Sequence, residues 1–576
     1  MKNDLGLFKT FLLWRERNNN NSTVFWCCLS LFFAAFYSFL GLQRAFSSAY
    51  AVNNDARVYV FWMQRFLDPE LLPQDLIADY FKSVTPWGFT AIYWLMAHLG
   101  ITPLFLSKIL PPILGLITTG YGFAVCLQIL PVPMAGFIST LLLNQSLWLN
   151  DDLASATPRA FVYPLFLAFI YYLFQRNWQA VAGAIALLGL FYPPFLFISA
   201  GVLILRLGYW QGGFRFSRDR SDYLLAAVGL GVALLVMLPY AFSASDYDPI
   251  VTAAQAREMP EFATQGRISF FNRDPFEFWL FGMHSGFLLS VSSLNPLVIT
   301  SLFLPLLLRN SSRFPLAKQV TSKVTALPQI LLVSLSLFLA AHALFFRLFL
   351  PSRYGQHSPR IVFTFAAGIA LTIILNTLVH SLQNRRRWLT GGAIALIWVG
   401  LILYPHALKK FPRDGYIFGG VPALYEFLNQ QPKTSLIASL SAEADNLPTF
   451  SQRSILVGRE YAVPYHLGYY RQIRQRVTNL IRAQYSSDLA AAQTLIQKYG
   501  VDFWLVEVTA FTPEYLNNRW LRQYQPAVTE AQVKMQQGNI PALAGLTESC
   551  AVFKTGNFVV LEATCIAKAA PQANSR

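Results

Sequence analysis

Long apolar segments recur along the first 411 residues and are separated by short polar stretches. Residues 23–43 contain no charged side chain and are rich in Leu, Phe and Ala, so they can cross a bilayer as one helix. Residues 178–205 are too long for one crossing and contain Pro193-Pro194, which predicts two short spans. The remaining spans are predicted at residues 103–127, 132–149, 159–174, 223–242, 291–308, 328–346, 361–382 and 388–406.

Basic residues between these segments predict the orientation of the chain. They precede Thr23 and recur at Arg176, across residues 206–220 and 309–323, and at Arg385-Arg386-Arg387. Placing all of them in the cytoplasm follows the positive-inside rule and gives one consistent path of eleven spans. In this path residues 1–22 are cytoplasmic. Residues 44–102 and 244–290 form outer loops, and the C-terminus lies outside.

Two further segments, residues 87–99 and 276–289, are apolar and aromatic but short. We interpret both as helices that lie in the outer membrane interface. If residues 87–99 crossed the membrane instead, the basic loops would change sides. The topology therefore favours the interfacial interpretation, and totals of twelve or thirteen spans are the alternatives.

The composition changes near residue 412. Short β-rich runs at residues 435–440, 454–457, 501–506 and 558–561 alternate with helical stretches at 469–483 and 488–499. This alternation predicts a small α/β domain over residues 412–576, outside the membrane. Cys550 and Cys565 lie 15 residues apart in it, and could form a disulfide in an oxidising compartment or remain free thiols.

Composition supports a polytopic membrane protein. Apolar residues make up 54% of the chain and charged residues only 13%, about half the usual share. The net charge of +16 could suggest nucleic acid, but Lys and Arg cluster between apolar runs, so we predict no nucleic-acid partner. The predicted fold is an α-helical polytopic membrane protein with about eleven transmembrane helices and a C-terminal soluble α/β domain.

Three aspartates stand out at the predicted outer ends of the spans. Asp55 follows Asn53-Asn54 in the first outer loop, where it is either a helix N-cap or a catalytic acid. Asp151 and Asp152 end the third span, and Arg159 opens the next. Acids at span ends are often simple boundary residues. The predicted topology nevertheless brings all four side chains to one membrane face. Asp75 and Asp79, farther along the first loop, are predicted to form a solvated helix face.

A basic cluster at residues 347–360 is predicted on the same side, where the positive-inside rule makes basic residues unexpected. The donor fork of Arg suits phosphate oxygens, which favours either a specific phosphate site or contact with lipid headgroups. Arg353 and Tyr354 lie at its centre. The loop at residues 244–274 is predicted to be a mobile lid or an ordinary connector.

These features resemble the type-C membrane glycosyltransferases, which use polyprenyl-phosphate sugars. The resemblance rests on the first-loop acid, the interfacial helix, about a dozen spans and the outer α/β domain. By this resemblance Asp55 matches the first-loop acid, Asp151 or Asp152 the second acid, and Arg353 the basic residue that binds the lipid phosphate. We predict Asp55, Asp151 and Asp152 as catalytic residues, and Arg57, Arg159, Arg353 and Tyr354 as ligands of the substrate phosphate. The resemblance implies a polyprenyl-phosphate-linked sugar as donor and a lipid, glycan or protein as acceptor, in a bacterial inner membrane. The first loop lacks an Asp-Glu or Asp-x-Asp pair, so the metal is unknown and a divalent cation is the candidate cofactor.

Two other functions fit the same architecture. A transporter or flippase for an amphiphilic substrate should place ionisable residues near mid-membrane, between broken helices. Only Lys108 and His342 lie clearly within the predicted spans, both near enough to the ends to reach polar surroundings. A non-catalytic scaffold that presents the C-terminal domain predicts no shared cleft lined by the acids and arginines.

Overall fold

The computed structural model describes residues 20–570 apart from 211–213, 243–244, 289, 291–292, 383–386 and 409. The predicted cytoplasmic segment 1–22 and the basic triplet at 385–387 therefore lie largely outside the described residues. Within the described ranges, six helices are long and apolar enough to span a membrane, and the chain is an integral membrane protein. These are Asn20–Ala45, Pro103–Ile129, Arg220–Phe242, Ser322–Leu344, Ser352–Ser381 and Arg387–Ala407.

The helices before the C-terminal region follow the predicted apolar segments closely. In chain order they are α1 (Asn20–Ala45), α2 (Asn54–Met63), α3 (Leu76–Val84), α4 (Trp87–His98), α5 (Pro103–Ile129), α6 (Pro133–Trp148), α7 (Val162–Gln175), α8 (Trp178–Phe191), α9 (Pro193–Arg206), α10 (Arg220–Phe242), α11 (Ala253–Glu258), α12 (Leu304–Arg309), α13 (Ala326–Leu344), α14 (Ser352–Gly355), α15 (His357–Ser381) and α16 (Arg387–Ala407).

The predicted break at Pro193-Pro194 is confirmed. Helix α8 ends at Phe191 and α9 begins at Pro193, where a proline fits because first-turn amides need no helical partner. Helices α6 to α9 have only 14 to 16 residues, fewer than the usual crossing of about 20. The total of eleven spans therefore stays a prediction.

Helices α6 and α15 approach each other closely in the core of the bundle. A Cβ on Gly368 of α15 would lie 2.1 Å from Ser139 Oγ and 2.6 Å from the Ser139 backbone nitrogen. Only glycine permits this spacing, as is common where membrane helices pack through small residues. The contact fixes the start of α15 beside the end of α6, which is where the basic cluster and Asp151-Asp152 lie.

The first loop forms a compact unit against the start of the C-terminal region. Strand β1 (Ala51–Asn53) pairs antiparallel with β4 (Tyr416–Phe418), with Ala51 opposite Phe418. Asp75 caps α3 by accepting from the Ala78 amide at 2.8 Å, and it is buried. The prediction that Asp75 lies on a solvated face is wrong, because the cap turns its carboxylate inward. Asp79 instead pairs with Arg65 at 2.6 Å.

The two short aromatic segments differ in structure. Residues 87–98 form α4 as predicted, and Trp87 and Trp94 on it are exposed. The prediction of a helix over 276–289 is wrong for the described residues, since only one π-helical turn forms, at Glu277–Phe281. The chain turns at Gly282, which approaches the backbone of Gly286 so closely that neither position leaves room for a side chain.

The C-terminal region contains a five-stranded sheet in the order β6-β5-β7-β9-β8. Strands β6, β5 and β7 run parallel to one another. Strand β9 runs antiparallel to both of its neighbours, β7 and β8. All four predicted strand runs are confirmed, and Cys550 and Cys565 form a disulfide. The boundary at residue 412 stays a prediction. The elements are β5 (Leu436–Ala438), β6 (Ser454–Ile455), β7 (Phe503–Glu507), β8 (Ala551–Thr555), β9 (Phe558–Glu562), α17 (Pro422–Asn429), α18 (Leu447–Phe450), α19 (Leu467–Gln484), α20 (Ala490–Tyr499), α21 (Ala527–Gln536) and α22 (Ala563–Lys568). A hairpin of β2 (Gly208–Trp210) and β3 (Phe214–Phe216) lies between α9 and α10.

The loop at residues 244–274 packs on the C-terminal region. The Val251 amide donates to the Tyr465 carbonyl at 3.0 Å, and Arg267 pairs with Glu460 at 2.7 Å. The buried Glu261 accepts from Tyr470 at 2.5 Å and also pairs with Arg474. These bonds favour a fixed connector over a mobile lid.

Candidate functional site

One arginine gathers the three predicted acids. Arg159 Nη2 lies 2.8 Å from a carboxylate oxygen of Asp55 and 2.9 Å from one of Asp151, and Arg159 Nε lies 3.6 Å from Asp152. These residues come from α2, from the turn after α6 and from the 3₁₀ turn Pro158–Phe161 before α7. Four residues that are up to 104 positions apart in sequence (159 − 55 = 104) therefore share one end of the bundle.

The side chain of Asp55 does not cap a helix, because a neighbouring residue does. Asn53, not Asp55, caps α2, because its side-chain oxygen accepts from the amides of Asp55 and Ala56 at 2.9 and 3.2 Å. Asn53 is itself fixed by donating to the Asp414 carbonyl at 2.6 Å. Asp55 thus sits in the first turn, with its side chain 45% exposed. The interpretation of Asp55 as the N-cap is wrong, and its carboxylate is available for chemistry.

Asp151 and Asp152 are adjacent in sequence but differ in environment. The Asp151 side chain is 35% exposed and that of Asp152 only 7%. Burial raises the pKa of Asp151, with the charges of Asp55 and Asp152 adding to the effect and Arg159 opposing it. Burial alone would also raise the pKa of Asp152, but Arg360, His357 and Arg159 outweigh it and hold that pKa well below its usual range.

Asp152 is held by a buried polar network. Arg360 pairs with it, the Tyr163 hydroxyl donates to it at 3.0 Å, and His357 Nδ1 lies 3.9 Å away. The Tyr163 oxygen is also 2.9 Å from His357 Nδ1. With its oxygens engaged in this way, Asp152 serves as a support for the site, whereas Asp55 and Asp151 face the open side.

Arg353 lies beside this cluster and has no carboxylate within ion-pair distance among the described residues. Its Nε is buried without a hydrogen-bond partner there, as is the hydroxyl of nearby Tyr192. Its guanidinium lies 6.0 Å from the Phe349 ring centroid. Burial raises the pKa of Tyr59 to about 12, with the charge of Asp55 adding to the effect and that of Arg353 opposing it. The charges of Arg353 and Asp55 thus both affect the pKa of Tyr59.

Two predicted phosphate ligands lie apart from the cluster. Arg57 is buried and donates to Asn446 at 2.6 Å and to Asn54 at 2.8 Å, so it joins α2 to the C-terminal region. Tyr354 is buried and donates to the Leu348 carbonyl at 2.8 Å. Neither side chain faces Asp55. For Arg57 the reason is helix geometry, because Asp55 and Tyr59 lie on one face of α2 and Arg57 on the other.

The C-terminal region closes one wall of the site through Gly415. This residue has φ +66°, and a Cβ on it would lie 3.0 Å from Asn53 Nδ2 and 3.1 Å from Asp151 Cβ. Its carbonyl accepts from the Asn54 amide at 3.0 Å. Sequence reasoning missed Gly415, Tyr163 and the role of Arg360. Only the basic cluster around Arg360 carried a signal, since the other two contacts join distant parts of the chain.

The three acids surround an arginine side chain in the described part of the chain. No group of three or more His, Cys, Asp and Glu side chains there is arranged to hold a metal ion. The oxygens of Asp55 and Asp151 that face each other contact Arg159 instead. The positive charge between the carboxylates is therefore the guanidinium of Arg159, a side chain of the protein itself.

No protein-family model matches the chain, and no curated protein matches its sequence. Solved structures do match. The oligosaccharyltransferase of Archaeoglobus fulgidus, tethered to an acceptor peptide, is 14% identical, with a TM-score of 0.53 over 88% of this chain and 72% of that one. The same archaeal protein, AglB, bound to an inhibitory peptide and a dolichol-phosphate, is 12% identical over the same shares with a TM-score of 0.53.

An arabinofuranosyltransferase, AftD, from Mycobacteria is 13% identical over 83% of this chain and 37% of that one, with a TM-score of 0.49. The archaeal and mycobacterial proteins are both type-C membrane glycosyltransferases. The match to the archaeal protein confirms, at the level of fold, the resemblance predicted from the sequence.

Proposed function

We propose that this protein is an integral membrane glycosyltransferase that transfers a sugar from a polyprenyl-phosphate donor to an acceptor. The observation that carries the proposal is the junction of Asp55, Asp151 and Arg159 beside Arg353, which has no carboxylate partner among the described residues. Two partly exposed carboxylates and a cation available to an anion, all at one end of the bundle, are what transfer from a phosphate leaving group requires. The fold shared with the archaeal oligosaccharyltransferase supports the same reaction class.

Asp55 is the general base of the proposed reaction. Its carboxylate accepts the proton of an acceptor hydroxyl, and the hydroxyl oxygen forms a bond to the anomeric carbon of the sugar. The bond between that carbon and the phosphate oxygen breaks, and the polyprenyl phosphate leaves with the electron pair. A general base has to lie within reach of the proton that it accepts, and the 45% exposed side chain of Asp55 leaves its carboxylate accessible to an acceptor.

Arg353 binds the phosphate of the donor. Its guanidinium has no carboxylate to neutralise it in the part of the chain that the structure describes, so an anionic ligand gains the full charge-assisted interaction. Phe349 and Tyr465 lie next to it, with their ring centroids 5.8 Å apart, and give the phosphate a partly dry surrounding. Electrostatic stabilisation of a leaving group is strongest where water is excluded.

The location and the acceptor follow from the same proposal. The C-terminal α/β domain and the cleft lie on the extracytoplasmic side of a bacterial inner membrane, where lipid-linked sugars are used. The acceptor is a lipid, a glycan or a protein. In the archaeal neighbour the solved complexes contain an acceptor peptide and a dolichol-phosphate.

A transporter is the less supported function. The buried ionisable residues of the Ser352–Ser381 span, His357 and Arg360, are bound to Asp152 at one end of the bundle. Lys108 lies near the start of α5, where its ammonium is 3.4 Å from the Ser48 carbonyl. These positions suit a site at the membrane surface better than a path across it.

Binding of the donor's lipid phosphate provides the test. The full-length protein in lipid nanodiscs is mixed with undecaprenyl phosphate, and bound lipid is counted by native mass spectrometry. We expect Arg353→Gln to weaken binding about tenfold or more, since a charge-assisted hydrogen bond contributes about 1.5–3 kcal/mol. Arg347→Gln, an exposed arginine of the same segment, is the matched control and should bind like the wild type. Equal weakening by both variants, or none by either, contradicts the proposal.

A further inference from the structure

The centre of the acidic cluster is occupied by a side chain. Arg159 Nη2 lies 2.8 Å from Asp55 and 2.9 Å from Asp151, so a single nitrogen bridges two carboxylates. Its Nε faces Asp152 at 3.6 Å and Ser155 Oγ at 3.4 Å. The arginine side chain is mostly buried. A guanidinium cannot lose its proton at any ordinary pH, so the positive charge is permanent.

This geometry does not fit a divalent cation. Hard divalent ions bind carboxylate oxygens at about 2.0–2.6 Å and need several oxygens directed at one point. Here the point between Asp55 and Asp151 is already filled by Arg159 Nη2. A second cation would have to displace the guanidinium or lie against it. The resemblance to lipid-linked sugar transferases makes a divalent cation the candidate cofactor, but the arrangement of these residues does not fit one.

We infer that Arg159 is a tethered cation that replaces a divalent metal ion in this site. As a positioning residue it holds Asp55 and Asp151 close together although like charges repel. Two carboxylates that share a site cannot both stay ionised unless a cation lies between them. The bridge holds Asp55 in place for its role as base.

The second anchor of Arg159 explains why it stays in place. Asp152 is fixed by Arg360 and Tyr163, and it contributes a third negative charge beside Arg159. The 3₁₀ turn Pro158–Phe161 begins with a proline and fixes the backbone that carries the arginine. Three carboxylates from two segments thus surround one guanidinium. A metal ion that exchanges freely would not require such a fixed position.

The inference rests on the same site as the proposed function, but its test needs no substrate, so the two can fail separately. The purified full-length protein is titrated with Mn²⁺ and followed by electron paramagnetic resonance and by its thermal unfolding temperature. We expect no saturable Mn²⁺ site in the wild type or in Arg159→Lys, and no shift on adding EDTA. Arg159→Gln should gain one Mn²⁺ site, and its unfolding temperature should rise by about 2 °C at a hundredfold excess over Kd.

Arg176→Gln is the matched control. Arg176 also lies between two acids, Asp219 and Asp222, but at another place in the fold, and its removal should create no Mn²⁺ site with a comparable affinity. A wild-type Mn²⁺ site that Asp55→Asn and Asp151→Asn both abolish would falsify the inference, and this arm needs no arginine variant to fold. Failure of folded Arg159→Gln to gain Mn²⁺ binding also overturns it.

Discussion

At the scale of single residues, the two adjacent aspartates of the site have separate tasks. Asp152 is buried among Arg360, Tyr163 and His357, whereas Asp151 is half-exposed beside Asp55. A buried charge is tolerated only with its partners, because their attraction and hydrogen bonds offset its loss of hydration. We therefore propose that Asp152 and Arg360 stabilise the site, and that Asp151 and Asp55 take part in its chemistry.

Removing Arg360 should leave the Asp152 charge buried and partly unpaired. We expect Arg360→Met to destabilise the protein by about 3–5 kcal/mol, seen as a lower thermal unfolding temperature in detergent. Asp151→Asn, whose side chain is more exposed, should cost less. Combining Arg360→Met with Asp152→Asn should restore much of the loss, since the unpaired charge is then gone. Additive losses in the double variant would contradict a direct pairing.

Asp445 in the C-terminal region makes a pH-dependent contribution. Burial and the nearby Glu460 charge raise its pKa to about 6, while Arg57 opposes the shift. An unfolded Asp titrates near about 3.9, so between these values the folded state binds more protons than the unfolded state. The contribution of Asp445 to stability is therefore fully present below about pH 4 and is lost as the pH rises through about 6.

Asp445→Asn should remove this penalty. At pH 7.5 we expect the variant to be more stable than the wild type by about 2–3 kcal/mol, with the difference closing near pH 4. The asparagine can still accept from the Glu460 amide, which bonds Asp445 at 3.1 Å. Thermal unfolding measured across this pH range checks the prediction, with Glu514→Gln, an exposed acid, as control. A variant less stable than the wild type at pH 7.5 would show that the ionised form is favoured.

At the scale of elements, the pairing of β1 with β4 ties the first loop to the C-terminal region and places Asp55. The link passes through Gly415, which adopts a left-handed backbone conformation against Asn53 and Asp151. Such a conformation strains any other L-residue, and here a side chain would also collide with the site.

Gly415→Ala should therefore cost more than the conformation alone. Gly500 ends α20 with a nearly equal φ of +67°, and a Cβ added there would meet no atom within 4 Å, so Gly500→Ala isolates the backbone strain. We expect Gly500→Ala to cost about 1 kcal/mol and Gly415→Ala more, with loss of transfer activity only in the latter. Equal unfolding temperatures for the two variants would mean that Asp151 moves away from the added methyl group with no loss of stability, which would contradict the prediction.

The elements themselves were largely predictable, because apolar length and proline positions act locally. The break before Pro193 and four of the five strands of the C-terminal sheet are examples. Burial of Asp75 was missed, although its cap on the Ala78 amide is local. The inward turn of Arg57 was not predictable, since it depends on Asn446 far along the chain. The same limit applies to the site: its acids were predicted from the topology, but the bridging position of Arg159 comes only from three-dimensional packing.

At the scale of the whole molecule, segments of the membrane region and of the C-terminal region converge on one site at one end of the bundle. The first loop, the turn after α6, the start of α15 and the β4 segment each contribute a side chain or a wall. This convergence is what a transferase needs if a lipid-borne donor approaches from the membrane and its acceptor from the aqueous side.

The most direct measurement follows the donor lipid in cells. Cells that produce the wild type, Asp55→Asn or Asp79→Asn at equal levels are extracted, and polyprenyl-phosphate sugars and surface glycans are quantified by mass spectrometry. Removal of a general base typically slows a reaction by about 10²–10⁴-fold. We therefore expect Asp55→Asn to lose one glycan and accumulate one lipid-linked sugar. Asp79→Asn, which alters only the pair with Arg65, should match the wild type. Unchanged glycans and lipids in Asp55→Asn would contradict the account.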